Sequence, residues 1–163
     1  MGADLYIRRL YAPHEAQARP AFDAAVRDRN AYTGSDPAEK QRLQAAVAAA
    51  HEAICAVGYF RDSYNSTSVL ATLNLSWWRD VIPMLNRQGN LSGEALRRFR
   101  DMVATASQDL PDAARLKERG AQVDAQGENS VAGWHAYYQK ERQDLLAFLD
   151  LAIAHRYSVH CSL

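Results

Sequence analysis

The sequence predicts an all-α fold, a single-domain bundle of five to seven helices, on three observations. Apolar residues recur at three- and four-residue spacings along most of the chain. N-cap signals and turn residues divide it into segments joined by short connections. A period-two alternation shows only faintly, at "ADLYI" near the start and "YSVHCSL" at the end, so a sheet of any size is not expected, although the two ends could pair briefly. With 163 residues and 48% hydrophobic content, one domain spanning 1–163 can bury a core without disulfides.

The first helix is placed from about Pro13 to Tyr32, where Ala16, Phe22, Ala25 and Val26 share a face and Pro13 suits a first turn. "TGSDP" then breaks the chain. Ser35 or Asp36 caps a second helix with Pro37 in its first turn, and Leu43, Ala46, Val47, Ala50, Ile54 and Val57 form its stripe before Gly58. A third helix, from Tyr59 towards Asn74, rests on Tyr59 or Phe60, Tyr64, Thr67 or Ser68, and Leu70 or Ala71, against Ser, Thr and Asn residues that favour caps and turns. Ser76 caps the next segment, which Pro83 must kink before it ends near Arg87. Ser92 caps an amphipathic helix with Leu96, Phe99, Met102 and Val103 inward, and Leu91 stands where a hydrophobic staple to Leu96 would begin. A short helix at Asp112–Arg119 precedes a Gly-, Asp- and Gln-rich loop at about 120–130, expected to be mobile. From Ser130 a long helix carries Trp134, Tyr138, Leu145, Leu149 and Ala152 or Ile153 inward, ahead of a short tail at 157–163.

Charge excludes more than it identifies. Lys plus Arg and Asp plus Glu each number 19, so no excess of either sign recommends nucleic acid or an anionic membrane as partner. Only Lys40, Lys117 and Lys140 are lysines; the Arg and Ala bias fits genome composition as well as it fits anion contacts. "RRFR", Arg97–Arg100, reads as the solvated face of an amphipathic helix. Two cysteines are too few for a disulfide framework, and the start lacks the apolar run of a signal peptide. No segment approaches the ~20 apolar residues of a membrane span. The expected location is therefore cytoplasmic. Tyr6 replaces the Ser or Thr a myristoylation signal requires, and Cys161 stands one residue too late for prenylation.

Most catalytic signatures are missing. No Glu has a His three residues later, as a dinuclear carboxylate bundle needs. Neither a Gly-rich phosphate loop nor a G-x-S-x-G elbow occurs. No cofactor is expected. His51 and Cys55 lie four apart on one helical face, and with His160 and Cys161 could supply four zinc ligands, but a surface His51 and a buried Cys55 are the plainer assignment.

What remains is the stretch 57–85, which holds two of the three tryptophans and two Arg-Asp pairs, Arg61-Asp62 and Arg79-Asp80. One reading is structural: Asp62 braces Arg79 across helices, and Tyr64, Asn65, Ser66 and Thr67 satisfy backbone groups. A functional reading makes Tyr59, Arg61, Asp62, Tyr64, Asn65, Trp78 and Arg79 the lining of a pocket for a small polar or anionic ligand, with aromatic walls and an arginine grip. A second takes Trp77-Trp78 and Tyr137-Tyr138 as anchors for a protein partner or for a homo-oligomer. A third makes Asp62 an acid or base, with Arg61 or Arg79 holding an anionic substrate. The sequence favours a binding module over an enzyme.

Overall fold

The computed structural model describes residues 2–63 and 68–162, with the side chain of Ser63 left aside. The chain is mixed α/β: 63% of it is helical, and a four-stranded antiparallel sheet accompanies the helices. The all-α expectation is overturned by that sheet. Its strands are β1 (Gly2–Tyr6), β2 (Tyr59–Ser63), β3 (Asn90–Leu91) and β4 (Val159–Ser162), in the order β2-β1-β4-β3. The helices are α1 (Arg8–Ala31), α2 (Pro37–Cys55), α3 (Val69–Thr72), α4 (Gly93–Thr105), α5 (Ala113–Glu118) and α6 (Val131–Ala154). A five-residue π-helical turn, Trp77–Val81, and a 3-10 turn, Ile82–Met84, connect α3 to β3. Pro83 lies in that tightened turn, where the sequence requires a bend. Among the described residues no helix is long and apolar enough to cross a membrane.

The chain forms two compact units, residues 8–59 and residues 1–7 with 60–163. The smaller unit is a hairpin of α1 and α2. Asp36 caps α2 by accepting from Ala38 N–H at 2.9 Å, and Leu43 and Ile54 are its buried residues. Phe22 lies 6.0 Å from the ring of His51, and His14 donates to the Ala53 carbonyl at 2.6 Å. The helix expected to open at Pro13 begins at Arg8 and continues through both Pro13 and Pro20. An interior proline costs about 3 kcal/mol against alanine in a helix, and Pro20 is exposed, so its ring contributes no packing in return. Pro20→Ala also frees the unfolded chain by roughly 1 kcal/mol, leaving an expected net gain of about 1–2 kcal/mol. Thermal unfolding should show it as a midpoint raised by a few degrees.

In the larger unit the ends of the chain pair, as the faint alternation allows: Asp4 stands opposite Ser162, Leu5 opposite Cys161 and Tyr6 opposite His160. β3 joins through Asn90 opposite His160 and Leu91 opposite Val159. One face of the sheet is apolar, with Ala3, Leu5, Phe60, Leu91, Val159 and Cys161 buried. The core adds Trp77, Val81, Leu96, Phe99, Val103, Tyr138, Leu145 and Leu149 from the helical segments, with α4 and α6 packed on each other. Gly2 permits the close approach of β1 to β2, since a Cβ there would meet the Asp62 carbonyl at 2.7 Å.

The third expected helix is corrected by β2. Residues 59–63 are a strand, and only Val69–Thr72 of that segment is helical. Burial along β2 alternates, with Phe60 and Asp62 buried and Arg61 exposed between them. Because one of the two inward positions holds an aspartate, the strand's period-two hydrophobic signal is cancelled in the sequence.

Candidate functional site

Asp62 is the buried centre of the 57–85 stretch, with 2% of its surface exposed. The strand aims its carboxylate at the start of α3 and at the π-helical turn. Ser68, the N-cap of α3, donates its hydroxyl to Oδ2 at 2.7 Å, and Val69 N–H donates to Oδ1 at 2.8 Å. Trp77 Nε1 donates to Oδ2 at 2.8 Å, and the Leu70 N–H also favours the charged carboxylate. Burial pushes the Asp62 pKa up, and these donors oppose the shift without reversing it. The carboxylate therefore ties a strand, a helix start and an indole together.

The two tryptophans diverge, as neighbours on a helical turn must. Trp77 is buried at 3% exposure, its ring 5.7 Å from Phe99, whereas Trp78 is 63% exposed. Ser76 caps the turn by accepting from Arg79 N–H, and Asp80 returns the contact by accepting from Ser76 N–H at 2.7 Å. Arg79 donates to Asp80 and, through Nη2, to the Asn74 carbonyl at 2.7 Å. That guanidinium holds the Asp80 carboxyl below its usual range. Arg79 is thus committed to its neighbour, and the donors to Asp62 come from Trp77, Ser68 and the backbone of α3.

The remaining candidates lie apart. Arg61 points to the opposite side of β2 from Asp62 and is 3.7 Å from Asp4, while Tyr59 sits 5.9 Å from Tyr11. Tyr64 and Asn65 lie outside the described residues. Ser68, Ala71, Leu75, Ser76, Trp77 and Trp78 line a hollow of about 240 Å³. Of the described residues proposed as pocket lining, Trp78 alone belongs to it.

The four proposed zinc ligands are divided between the two compact units, His51 and Cys55 in residues 8–59 and His160 and Cys161 in the larger unit. His51 ring nitrogens lie 3.9 and 4.0 Å from Cys55 Sγ, on the helical face that their spacing implies. On β4 the alternation separates the other two: Cys161 is buried, with its thiol pushed up to about 12 by desolvation, while the His160 ring pairs with Asn90 at 3.0 Å. Among the described residues no group of three or more His, Cys, Asp or Glu could hold a metal ion.

Two arrangements escaped the sequence reading. Arg142 on α6 donates to the carbonyls of Val103, Ala104 and Ala106, closing the end of α4. A second hollow, of about 500 Å³, opens beside α6 and is lined by Glu128, Asn129, Gly133, Trp134, Ala136 and Tyr137. Trp134 and Tyr137 at i and i+3 were a possible signal, but the loop that completes the hollow carries no periodicity. No family model, curated protein or solved structure matches this chain.

Proposed function

We propose that this protein is a cytoplasmic binding module that recognises a protein partner through Trp78. The observation that carries the reading is the 63% exposure of that indole beside a buried twin. The exposed part of a large aromatic forgoes burial free energy that a partner can recover, and tryptophan heads the residues that dominate interface energetics. Size favours a protein side chain over a metabolite: the adjoining hollow of about 240 Å³ falls below the ~300–1,000 Å³ range of small-molecule pockets. Leu75, Ala71 and Trp77 in its lining suit an apolar side chain, and Ser68 and Ser76 add polar groups. The engagement of the Asp62 carboxylate favours binding over acid-base catalysis, since the Ser68, Val69 and Trp77 donors that reach it already serve the fold.

Affinity capture with wild type, Trp78→Ala and a control at another exposed apolar position, Leu151→Ala, tests the reading. A partner retained by wild type and by Leu151→Ala should weaken by at least ~30-fold on Trp78→Ala, while the melting temperature of that variant stays near wild type. Equal retention by all three proteins would refute the assignment. Light scattering that shows a homodimer dissolved by Trp78→Ala would make the partner a second copy.

A further inference from the structure

We infer that the hollow beside the first turns of α6 binds an organic cation of the alkylated ammonium type. Its walls are aromatic and set at an angle: the Trp134 and Tyr137 ring centroids are 5.7 Å apart with their planes at 82°. Two rings so placed can surround a rounded, weakly hydrated cation, whose charge is attracted to the electron-rich faces. The volume, about 500 Å³, lies inside the ~300–1,000 Å³ range of small-ligand pockets.

The walls are held before any ligand arrives. Trp134 Nε1 donates to the Gln122 carbonyl at 2.9 Å, which fixes the indole plane. The opposing loop is cross-tied: Asp124 N–H donates to the Asn129 carbonyl at 3.1 Å, and Ser130 N–H to the Gly127 carbonyl at 3.1 Å. At Gly133 a Cβ would stand 2.2 Å from the Glu128 carbonyl oxygen, so glycine is what lets this loop close against the helix. Preformed walls lower the ordering cost of binding.

Charge selects the ligand's sign. Among the described residues the lining includes one carboxylate, Glu128, and no lysine or arginine. Burial pushes the Tyr137 hydroxyl up to about 12, reinforced by the negative charges of Glu141 and Asp62, so the region disfavours added negative charge. A helix start ordinarily attracts anions, but here Gly133 N–H is given to Ser130 Oγ and Trp134 N–H to the Ser130 carbonyl. Polyols suit the lining less well: of its polar side-chain groups, the Asn129 amide donates to Asp124 at 3.3 Å and the Trp134 N–H to the Gln122 carbonyl, so both already serve the walls.

The test is a titration of the full chain with choline and with 3,3-dimethyl-1-butanol, its uncharged carbon isostere, at constant ionic strength. The Trp134 indole N–H and Gly133 amide resonances are the readouts. Choline should shift both saturably, and the isostere should bind about tenfold more weakly. Glu128→Gln, an exposed change that leaves folding intact, should reduce choline affinity several-fold and leave the isostere unaffected. Tyr137→Leu should remove saturable binding of both. A trimethyllysine peptide that binds more tightly than choline would assign the cation to a protein side chain, and the reverse order would assign it to a free metabolite; either supports the site. Equal affinity for choline and its isostere, an unaltered choline affinity in Glu128→Gln, or shifts that never saturate would overturn it.

Discussion

Asp62→Ala should destabilise the larger unit by about 3–5 kcal/mol, because it removes a shared acceptor from buried donors that have no water to turn to. Ser68 Oγ, Val69 N–H and Trp77 Nε1 all reach the carboxylate within 2.8 Å, and each stranded donor costs roughly 1–3 kcal/mol. Against a total stability of about 5–15 kcal/mol, the loss should show in a urea midpoint and in weaker amide protection over α3. Asp62→Asn keeps the shape and one acceptor oxygen, so a smaller loss of about 1–2 kcal/mol is expected. In a double-mutant cycle with Trp77→Phe the two changes should cost less together than the sum of their separate effects, since both break the same bond.

The pH dependence of that pair has a defined sign. Because burial raises the folded-state pKa of Asp62, protonation favours the folded protein. This contribution is fully present below the unfolded value of about 3.9 and is lost as pH rises through the higher folded value. Asparagine does not titrate. The advantage of wild type over Asp62→Asn should therefore be largest near pH 4 and shrink towards neutrality, which denaturant titrations at several pH values would measure. An advantage that grows with pH would mean that the hydrogen bonds outweigh burial.

Arg142→Ala should cost about 2–3 kcal/mol and loosen α4 at its end rather than its start. The guanidinium meets the Val103, Ala104 and Ala106 carbonyls at 3.1, 2.9 and 2.9 Å, groups that the helix itself cannot satisfy. The backbone at the α4 end offers no glycine cap; Ala106 is extended, so a side chain from α6 does the capping. The positive charge also complements the negative end of the helix dipole. Arg142→Lys keeps the charge but loses the planar fork, and should recover about half of the loss. Hydrogen exchange resolved along α4 would locate the effect at residues 103–106.

Much of the helical content was legible because helices declare themselves locally. Asp36, Ser76, Asp112 and Ser130 each cap the segment that they precede, and Leu96, Phe99 and Val103 are buried at helical spacing on α4. Strands of two to five residues leave a weaker trace, and here their partners are distant: Leu5 pairs with Cys161. The segment 59–63 was harder still, since its inward positions hold Phe60 and a buried aspartate. A charged residue breaks the apolar alternation, and its compensation by Ser68 and Trp77 exists only once the fold has formed.

The same division holds for the candidate sites. Sequence alone determined the caps of several helices, Asp36, Ser76, Asp112 and Ser130 among them, and that the stretch 57–85 concentrates aromatic and charged residues. Tertiary structure decided that Trp77 goes inward to Asp62 and Phe99 while Trp78 goes to solvent, that Arg61 and Asp62 part across a strand, and that Arg142 closes a helix far away in the chain. The physical reason is range. Periodicity and capping act over three or four residues, whereas burial and the satisfaction of a buried polar group depend on which distant segments the chain brings beside them.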